Sequence, residues 1–352
     1  MKIIFNIRKL KYFIVCILFL HVIFIKCGVI IESENSIQPE ITYSKLDFII
    51  YDNIKLENFK KPIRVKENPA TNEILILDKG RNCIFFFSQE GDYLRAVGKE
   101  GQGPGDLLFP EDMDIDLKGD IYVFEGGNKR ISIFSAAGEF INSFNAHGTN
   151  RSYLTISNDG EILINDPESG YYITVYSRNG AKLRNIGEIT QYNKNLMVNL
   201  VFSFGKPFKD NRNNYYIFIE RMGIVKIYDE YSTLLKEVVL KGIEIMEKYR
   251  KANYVPPERQ NTKGVLSYSF FHDILFRDNV FYITETNPSN PLITTIYILN
   301  NDLNVYDKIN LPVNNKIFGN LNHISIELLS DSERFILLDP QNIQVLKYAK
   351  KK

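Results

Sequence analysis

The chain has 352 residues, of which 44% are hydrophobic and 24% charged, and this ordinary globular composition excludes a largely disordered protein. With 43 basic and 42 acidic residues, it has no general field that would attract nucleic acid, and we expect no nucleic-acid partner. The length suits one large all-β domain or two smaller domains, and the 24 Phe and 21 Tyr favour strands.

The first element is a basic segment followed by an apolar run over about residues 12–25, which His21 interrupts. The run is too short for a comfortable membrane span, but it is typical of a signal peptide. We therefore predict that residues 1–26 are removed from an exported protein. Their loss takes away five basic residues and leaves 38 against 42 acidic ones.

Cys27 follows this run directly, before Gly28. The placement resembles a bacterial lipoprotein signal, whose cysteine becomes the lipidated first residue, although Lys26 stands where a small residue is usual. We expect a membrane-anchored lipoprotein of the cell envelope, in the periplasm or at the cell surface, with residues 27–43 as a linker. Ordinary cleavage a few residues later and an uncleaved anchor stay open.

Cysteine usage leaves no disulfide framework. Of Cys16, Cys27 and Cys83, only Cys83 would be free in a lipidated mature chain. It lies in the strand pattern "NCIFFF", which favours a small buried hydrophobe over a reactive thiol.

A repeat then runs to the end of the chain. Alternating apolar runs around a polar turn are the signature of a hairpin, and they recur with anchor residues at Phe87, Phe134, Tyr176, Tyr228, Leu299 and Leu346. The anchors are 42 to 52 residues apart, apart from one gap of 71, and this period matches a propeller blade of four short strands.

Each anchor has a strand before it, such as "GDIYVFE", and five have another after it, such as "YLRAVG". The sixth repeat has no following strand, and "SKLDFIIYD" (residues 44–52) is otherwise unassigned. Pairing the two would cover an edge that could otherwise aggregate. We therefore predict an all-β, six-bladed β-propeller over residues 44–350, closed by an N-terminal strand.

The second repeat carries a family resemblance. The stretch "GQGPGDLLFPEDMDIDLKGDIYVFEGGNKRISIFSAAGEFINSF" resembles an NHL repeat, with its glycine-rich link, "F-P", "G-x-I-Y-V" and "N-x-R-I". The match is looser in the first and third repeats and faint in the last three. The whole chain is similar to exported six-bladed NHL-like propellers of bacteria, many of them lipoproteins.

The glycine cluster "GKEGQGPGD" raises the alternative of a phosphate-binding loop. It lacks the closing Gly-Lys-Ser/Thr, and Asp106 stands where a third glycine would complete G-x-G-x-x-G. A phosphate loop also needs the N-terminus of a helix after it, whereas strand patterns follow here. We predict a link between two blades.

The residues that enter the inner strands are the candidate ligand-binding positions, because inner strands line the central channel of a propeller and the blade-to-blade links surround its mouth. The ring mixes cations, carboxylates and imidazoles that would suit a polar or anionic ligand, and its members are Arg64, Glu111, Asp112, Arg151, Lys206, His272 and His323. Each is also an ordinary exposed loop residue when taken alone.

Metal sites are weaker alternatives. His147, His272 and His323 could together form an open zinc site, as a related propeller lyase holds a metal in its channel. Asp114 and Asp116 could serve as calcium ligands by similarity to propeller lactonases, although Asp116 more simply opens the polar turn "DLKGD". We commit to no cofactor and to no catalytic residue.

The long gap contains "LKGIEIMEKYRKANYVPPERQNTKGVLSYSFF", predicted as an insertion over residues 243–268. The spacing of Ile243, Ile245, Met246 and Tyr249 suits one face of a short helix, which the two prolines that follow would end. The insertion would be either a flap over one face of the propeller or a decoration. Contacts to a ligand are expected from Tyr249, Arg250 and Arg259, with Tyr254 as a further candidate.

The sequence thus favours a non-catalytic, lipid-anchored binding module with a monomeric domain, whose partner is a protein, peptide or glycan. The alternatives are a metal-dependent propeller lyase or lactonase-type hydrolase on the same face, and a structural component of the envelope.

Overall fold

The computed structural model describes residues 29–32, 41–49, 59–243, 246–247, 255–260, 273–286, 293–312, 325–328, 334–339 and 344–350. The predicted signal peptide and Cys27 lie outside these residues. Within them, no helix is both long and apolar enough to cross a membrane.

The described residues form five twisted sheets, which we label A to E. Sheet A contains β3 (Pro62–Glu67), β4 (Ile74–Asp78), β5 (Cys83–Phe87) and β6 (Tyr93–Val97); sheet B contains β7 (Pro110–Ile115), β8 (Ile121–Glu125), β9 (Arg130–Phe134) and β10 (Phe140–Asn145). Sheet C contains β11 (Leu154–Ile156), β12 (Ile162–Asn165), β13 (Tyr171–Tyr176) and β14 (Lys182–Glu188). Each of these sheets is an antiparallel meander.

Sheet D contains β15 (Gly205–Lys209), β16 (Tyr215–Ile219), β17 (Ile224–Tyr228) and β18 (Leu234–Val239). Its outer edge is extended in parallel by β1 (Val29–Glu32), which falls inside the predicted linker. A short helix, α1 (Leu196–Val201), precedes this sheet, and 3-10 turns occur at Pro167–Ser169 and Pro257–Arg259.

Sheet E has eight strands. The structure therefore has five sheets among the described residues, whereas the repeats predict six blades. In order across the sheet they are β19 (Asp273–Arg277), β20 (Val280–Thr286), β21 (Ile293–Leu299), β22 (Val305–Pro312), β2 (Ile41–Ile49), β25 (Gln344–Lys350), β24 (Arg334–Asp339) and β23 (Ser325–Leu328). Two antiparallel units, β19–β22 and β23–β25, flank β2, which pairs in parallel with β22 only at Ile41 and Thr42. This short pairing joins units that the sequence separates.

The repeat anchors occupy equivalent places. Each of the first five is the last residue of the third strand of its meander, and all five are at most 4% exposed. In sheets A to D the second and third strands are buried along nearly their whole length, which explains why they read as continuous apolar runs. The fourth strands are mostly exposed or half-buried.

The apolar clusters follow the sheets in sequence. Separate clusters lie between A and B, B and C, C and D, and D and E. A further cluster joins sheet A to Ile336 and Leu338 of β24, and the backbone N–H of Val65 donates to Ser325 Oγ at 3.3 Å. The last strands thus pack against the first sheet, and the all-β chain forms a propeller around a central channel.

The glycine-rich segment is confirmed as a link between β6 and β7. Gly105 adopts a φ of +79°, a conformation that favours glycine. The Arg130 guanidinium donates to the carbonyls of Gln102 (2.9 Å), Gly103 (3.1 Å) and Asp106 (2.8 Å). The backbone carbonyls of this link therefore bind a cation of the protein, and a strand follows the link instead of a helix.

Only part of the predicted insertion lies within the described residues. Ile243 and Met246 are fully buried in the cluster between sheets D and E, while Asn193 Nδ2 donates to the carbonyls of Pro257 (2.9 Å) and Gln260 (3.1 Å). The beginning of the insertion is thus part of the core. Tyr249, Arg250 and Tyr254 lie outside the described residues.

Candidate functional site

The channel is surrounded by β23 and by the first strands of the sheets, which run in the same direction along its axis. Residues at the starts of these strands therefore meet at one end of the channel, and residues at their ends meet at the other. The first end is a cavity of about 230 Å³, which we call the mouth. Its wall contains Lys61, Ile63, Arg64, Lys79, Glu111, Asn150, Arg151, Ser152, Tyr153, Phe204, Glu220 and Arg221.

Cations outnumber carboxylates in the wall of the mouth. Five of these residues are Lys or Arg and two are Glu. Glu111 receives both of its ion-pair contacts from Lys79, at 2.5 Å, and burial nevertheless raises the pKa of Glu111. Glu220 accepts a hydrogen bond from the Tyr153 hydroxyl, and burial together with this carboxylate raises the pKa of Tyr153. Both carboxylates of the wall are thus already engaged.

Two arginines, Arg151 and Arg221, belong to the remaining wall. Arg151 is exposed, and Arg221 is half-buried. Burial lowers the pKa of Arg221, and repulsion from Arg151 adds to this effect while Glu220 opposes it. A negatively charged group placed between two guanidinium groups would relieve the repulsion and accept their hydrogen bonds.

Below the mouth the channel is crossed by buried ion pairs, which we call the belt: Arg64 with Asp112, and Lys206 with Asp273. Arg64 is 4% exposed and Asp112 is 1% exposed; their side chains form a short ion pair. Lys206 Nζ lies 2.7 Å from Asp273 Oδ1. Removing charges from water is costly unless partners surround them, and both carboxylates have further donors.

Those donors follow one pattern on two sides of the channel. Asp112 Oδ2 accepts the backbone N–H of Leu154, on the next first strand, at 2.9 Å. Asp273 Oδ2 accepts the backbone N–H of Ile326, again on the next first strand, at 3.0 Å. In each case a cation on one strand pairs with an aspartate on the second, which binds the backbone of the third.

The charges of the belt also shift the pKa values of Asp273 and Arg64. Burial alone would raise the pKa of Asp273, but the cations Lys206 and Arg64 hold it well below its usual range. Burial would likewise lower the pKa of Arg64, and Asp112 and Asp273 raise it instead. Asp273 and Arg64 are therefore charged at neutral pH.

The opposite end of the channel is a second cavity, of about 610 Å³, which we call the far cavity. Its wall includes the later residues of the first strands, among them Lys66, Asp114, Thr155, Phe208 and Glu327. Lys66 Nζ lies 2.8 Å from Asp114 Oδ1 and 3.4 Å from Glu327 Oε2, and Asp114 Oδ2 accepts the backbone N–H of Ile156 at 2.8 Å.

The structure distributes the predicted ring over these regions. Arg64, Glu111 and Arg151 line the mouth. Asp112 lies in the belt, and Lys206 belongs to the belt and to the wall of the far cavity. His272 and His323 lie outside the described residues. Arg259 is exposed in its 3-10 turn and does not line either cavity.

Sequence reasoning missed the part of the mouth that follows the second strands. Lys79 comes directly after β4, and Glu220 and Arg221 come directly after β16. In a meander the end of the second strand lies beside the start of the first strand. The motifs "ILILDKG" and "YIFIERM" therefore carried a usable signal, since a polar residue after the second strand reaches the same face.

The candidate metal ligands are not brought together within the described residues, where no group of three His, Cys, Asp or Glu side chains could hold an ion. His147 is exposed and donates its backbone N–H to the Tyr176 hydroxyl at 3.2 Å. Asp116 is confirmed in its polar turn, where it accepts the backbone N–H groups of Lys118 (2.9 Å) and Asp120 (3.0 Å).

Cys83 is 6% exposed, in the apolar cluster that joins sheet A to β24. Burial raises the pKa of this thiol to about 12. A thiol that stays protonated is a poor nucleophile, so the prediction of a small buried hydrophobe is confirmed.

Comparison with known proteins matches residues 57–239 to the model of a family described as "6-bladed beta-propeller". Human NHL repeat-containing protein 3 is 31% identical over 110 residues, which is 28% of this chain and 32% of that protein. The chain thus spans about a third of the length of this curated relative.

Two solved structures are similar in fold. A protein of Bacteroides fragilis, whose name classes it with exported proteins, is 14% identical with a TM-score of 0.53, over 92% of this chain and 100% of that one. A catalytically inactive virginiamycin B lyase from Staphylococcus aureus, solved with quinupristin, is 12% identical with a TM-score of 0.51, over 92% of this chain and 98% of that one.

Proposed function

Because the chain belongs to the family of 6-bladed beta-propellers, we propose that it is an exported, lipid-anchored binding module that holds its ligand at the mouth without catalysis. The observation that carries this proposal is the surplus of cations in a concave wall built from several sheets. A ligand that presents a carboxylate, sulfate or phosphate group, on a protein, peptide or glycan, would complement that wall.

The belt supports a binding role because it holds the mouth in place. Arg64 belongs to both, and its guanidinium lies 5.4 Å from the ring centre of Tyr153. A wall fixed by buried ion pairs loses little conformational freedom when a ligand docks, and preorganisation of this kind increases affinity.

The finer architecture is part of the proposal. We infer that sheet E is two blades, β19–β22 and β23–β25, the second completed by β2 to close a ring of six. In support, β2 pairs with β25 at six positions and with β22 at only two. A chain that begins after residue 50 should then expose the edge of β25 and aggregate, as light scattering would show; a monodisperse product would contradict the closure.

The ligand site is tested with small acidic probes. We would titrate galacturonate, glucose 6-sulfate and the dipeptide Gly-Glu into the purified protein by calorimetry. Arg151→Ala should weaken binding roughly tenfold, the loss of one charge-assisted hydrogen bond of about 1.5 kcal/mol. Arg212→Ala is the matched control, since Arg212 is exposed on the hairpin between β15 and β16.

Binding that is equal in the two variants, or absent for all three probes, would contradict the mouth as an anion site. Metal analysis of the same preparation addresses catalysis. Stoichiometric zinc or calcium that is lost in His272→Ala would favour a metal-dependent lyase or lactonase-type hydrolase over a binding module.

The anchor has its own test. Metabolic labelling with radioactive palmitate should mark the wild-type protein in the membrane fraction, and Cys27→Ala should abolish both the label and the membrane association. Retention of the label in this variant would contradict lipidation at Cys27.

A further inference from the structure

The far cavity is larger than the mouth, and its wall contains buried polar atoms without hydrogen-bond partners among the described residues. Its volume of about 610 Å³ falls in the range of about 300–1,000 Å³ typical of small-molecule sites. The mouth, at about 230 Å³, falls below that range and suits a single group on a larger ligand.

Two buried oxygen atoms in the wall of the far cavity have no hydrogen-bond partner among the described residues: Thr155 Oγ1 and Glu327 Oε2. Thr155 is 9% exposed and Glu327 is 8% exposed. The 3.4 Å contact of Lys66 with Glu327 Oε2 is an ion pair without hydrogen-bond geometry. Because buried polar atoms are almost always satisfied by protein groups or ordered water in native proteins, these two indicate that a ligand group or a water molecule binds them inside the cavity.

The charged groups of the wall do not call for a charged partner. Lys66 pairs with Asp114, Lys206 with Asp273, and Lys209 Nζ lies 2.5 Å from Asp159 and 3.0 Å from Glu161. Across the described wall, four cations face four carboxylates: Lys66, Lys206, Lys209 and Arg277 against Glu67, Asp114, Asp278 and Glu327. A net charge on the ligand would therefore gain little.

The wall also has an apolar side. Phe208, Phe276 and Leu117 contribute to it; the rings of Phe208 and Phe276 lie 6.0 Å apart, and Phe276 is only partly buried. A cavity whose wall has a few polar groups as well as aromatic side chains can bind a molecule that has both hydroxyl groups and an apolar face.

We propose that the far cavity is a second ligand site, separate from the mouth, that binds a neutral sugar. The sugar hydroxyls donate to Glu327 Oε2 and share a hydrogen bond with Thr155 Oγ1, and its C–H face packs on Phe276. This site does not depend on the mouth being a binding site, because the belt lies between the two cavities.

The pH dependence of binding follows from the surroundings of Glu327. Burial raises the pKa of Glu327 to about 7, with Lys66 and Arg277 opposing the rise and Asp114 adding to it. The ionised carboxylate accepts hydroxyl donors more strongly than the neutral acid. Affinity should therefore increase from pH 6 to pH 8.

The test uses saturation-transfer NMR on the purified protein with glucose, galactose, mannose, N-acetylglucosamine, maltose and lactose. We expect transfer to at least one of these sugars, and a roughly five- to tenfold weaker affinity in Thr155→Val, from the loss of one hydrogen bond. Thr233→Val, at an exposed threonine of the β17–β18 hairpin, should bind as the wild type does.

Glu327→Gln should bind with an affinity that no longer changes between pH 6 and pH 8. Arg151→Ala should leave sugar binding unchanged, which keeps this test distinct from that of the mouth. Absence of transfer to all six sugars would mean that water fills the cavity and would overturn the proposal, as would wild-type affinity and pH dependence in both Thr155→Val and Glu327→Gln.

Discussion

The mouth and the far cavity are built on the same strands, yet they treat their charges differently. In the mouth, cations outnumber carboxylates and Arg151 is exposed. In the far cavity, the charges balance and two buried oxygens have no hydrogen-bond partner among the described residues. Because side chains alternate along a strand, a shift of a residue or two moves a charge between these roles. Glu111, Asp112 and Asp114 lie in the mouth, the belt and the far cavity in turn.

The contribution of a charged residue to stability depends on how deeply its side chain is buried. A buried ion pair is strongly destabilising to break, whereas an exposed charge contributes little to stability. Belt residues should therefore control folding, and the exposed mouth residue Arg151 should control binding.

The largest expected effect comes from breaking the belt. Asp112→Ala leaves the Arg64 guanidinium buried without its partner and should lower the free energy of unfolding by about 3–5 kcal/mol. Urea denaturation followed by circular dichroism measures this change. Asp92→Ala, at an exposed aspartate of the β5–β6 hairpin, should stay within about 0.5 kcal/mol of wild type; a similar small change in Asp112→Ala would show that the belt is not structural.

A second prediction concerns Glu327 in the far cavity, which should make the stability of the protein depend on pH. The pKa of Glu327, raised to about 7 by burial, lies above its value in an unfolded chain, about 4.3. The folded state thus favours the neutral acid, and this contribution to stability is complete below pH 4 and lost as the pH rises through 7.

Glu327→Gln mimics the neutral acid. At pH 8 it should therefore be more stable than wild type by roughly 1–3 kcal/mol, and the difference should shrink toward zero near pH 4. Thermal melts across this range measure the difference. A difference that does not vary with pH would show that Glu327 titrates normally.

A third prediction concerns the unpartnered hydroxyl. Thr155→Val should stabilise the protein in the absence of ligand by about 1 kcal/mol, because it removes a buried polar atom that has no hydrogen bond. Thr174 is the matched control, since it is fully buried and its hydroxyl lies 3.2 Å from Asn185 Oδ1. Thr174→Val should destabilise by about 1 kcal/mol; chemical denaturation that gives the same sign for both would remove the distinction.

The smallest expected effect on stability belongs to the mouth. Arg151→Ala should change the free energy of unfolding by less than about 0.5 kcal/mol, because Arg151 is exposed and surface substitutions rarely exceed this value. The same variant should weaken binding of the acidic probes. A loss of stability comparable to that of Asp112→Ala would place Arg151 in the structural framework.

Much of the fold could be predicted from the sequence because each meander repeats one physical requirement. Phe87, Phe134, Tyr176, Tyr228 and Leu299 end the third strands as expected, since every blade needs a large apolar side chain at that place. The glycine link was readable because it lacked a following helix. The number of separate sheets was not, because the short pairing of β2 with β22 depends on tertiary position.

The site was only partly readable. Position in the repeat placed Arg64, Glu111 and Arg151 at the mouth, because links to inner strands share one face. The repeat position could not distinguish the role of Asp112 from that of Glu111. The bulge in the pairing of β7 with β8 decides which of these two side chains lies in the belt. The ion pair of Lys206 could not be predicted from the sequence either, because its aspartate partner lies 67 residues away in the chain.

Amide hydrogen exchange resolved by NMR tests most directly the central claim, that each aspartate of the belt holds a backbone N–H of the next first strand between the two cavities. In wild type, the N–H groups of Leu154 and Ile326, which donate to Asp112 and Asp273, should exchange only through global unfolding. In Asp112→Ala, Leu154 should lose at least about tenfold more protection than Ile326 does. Equal losses at the two amides would contradict the account.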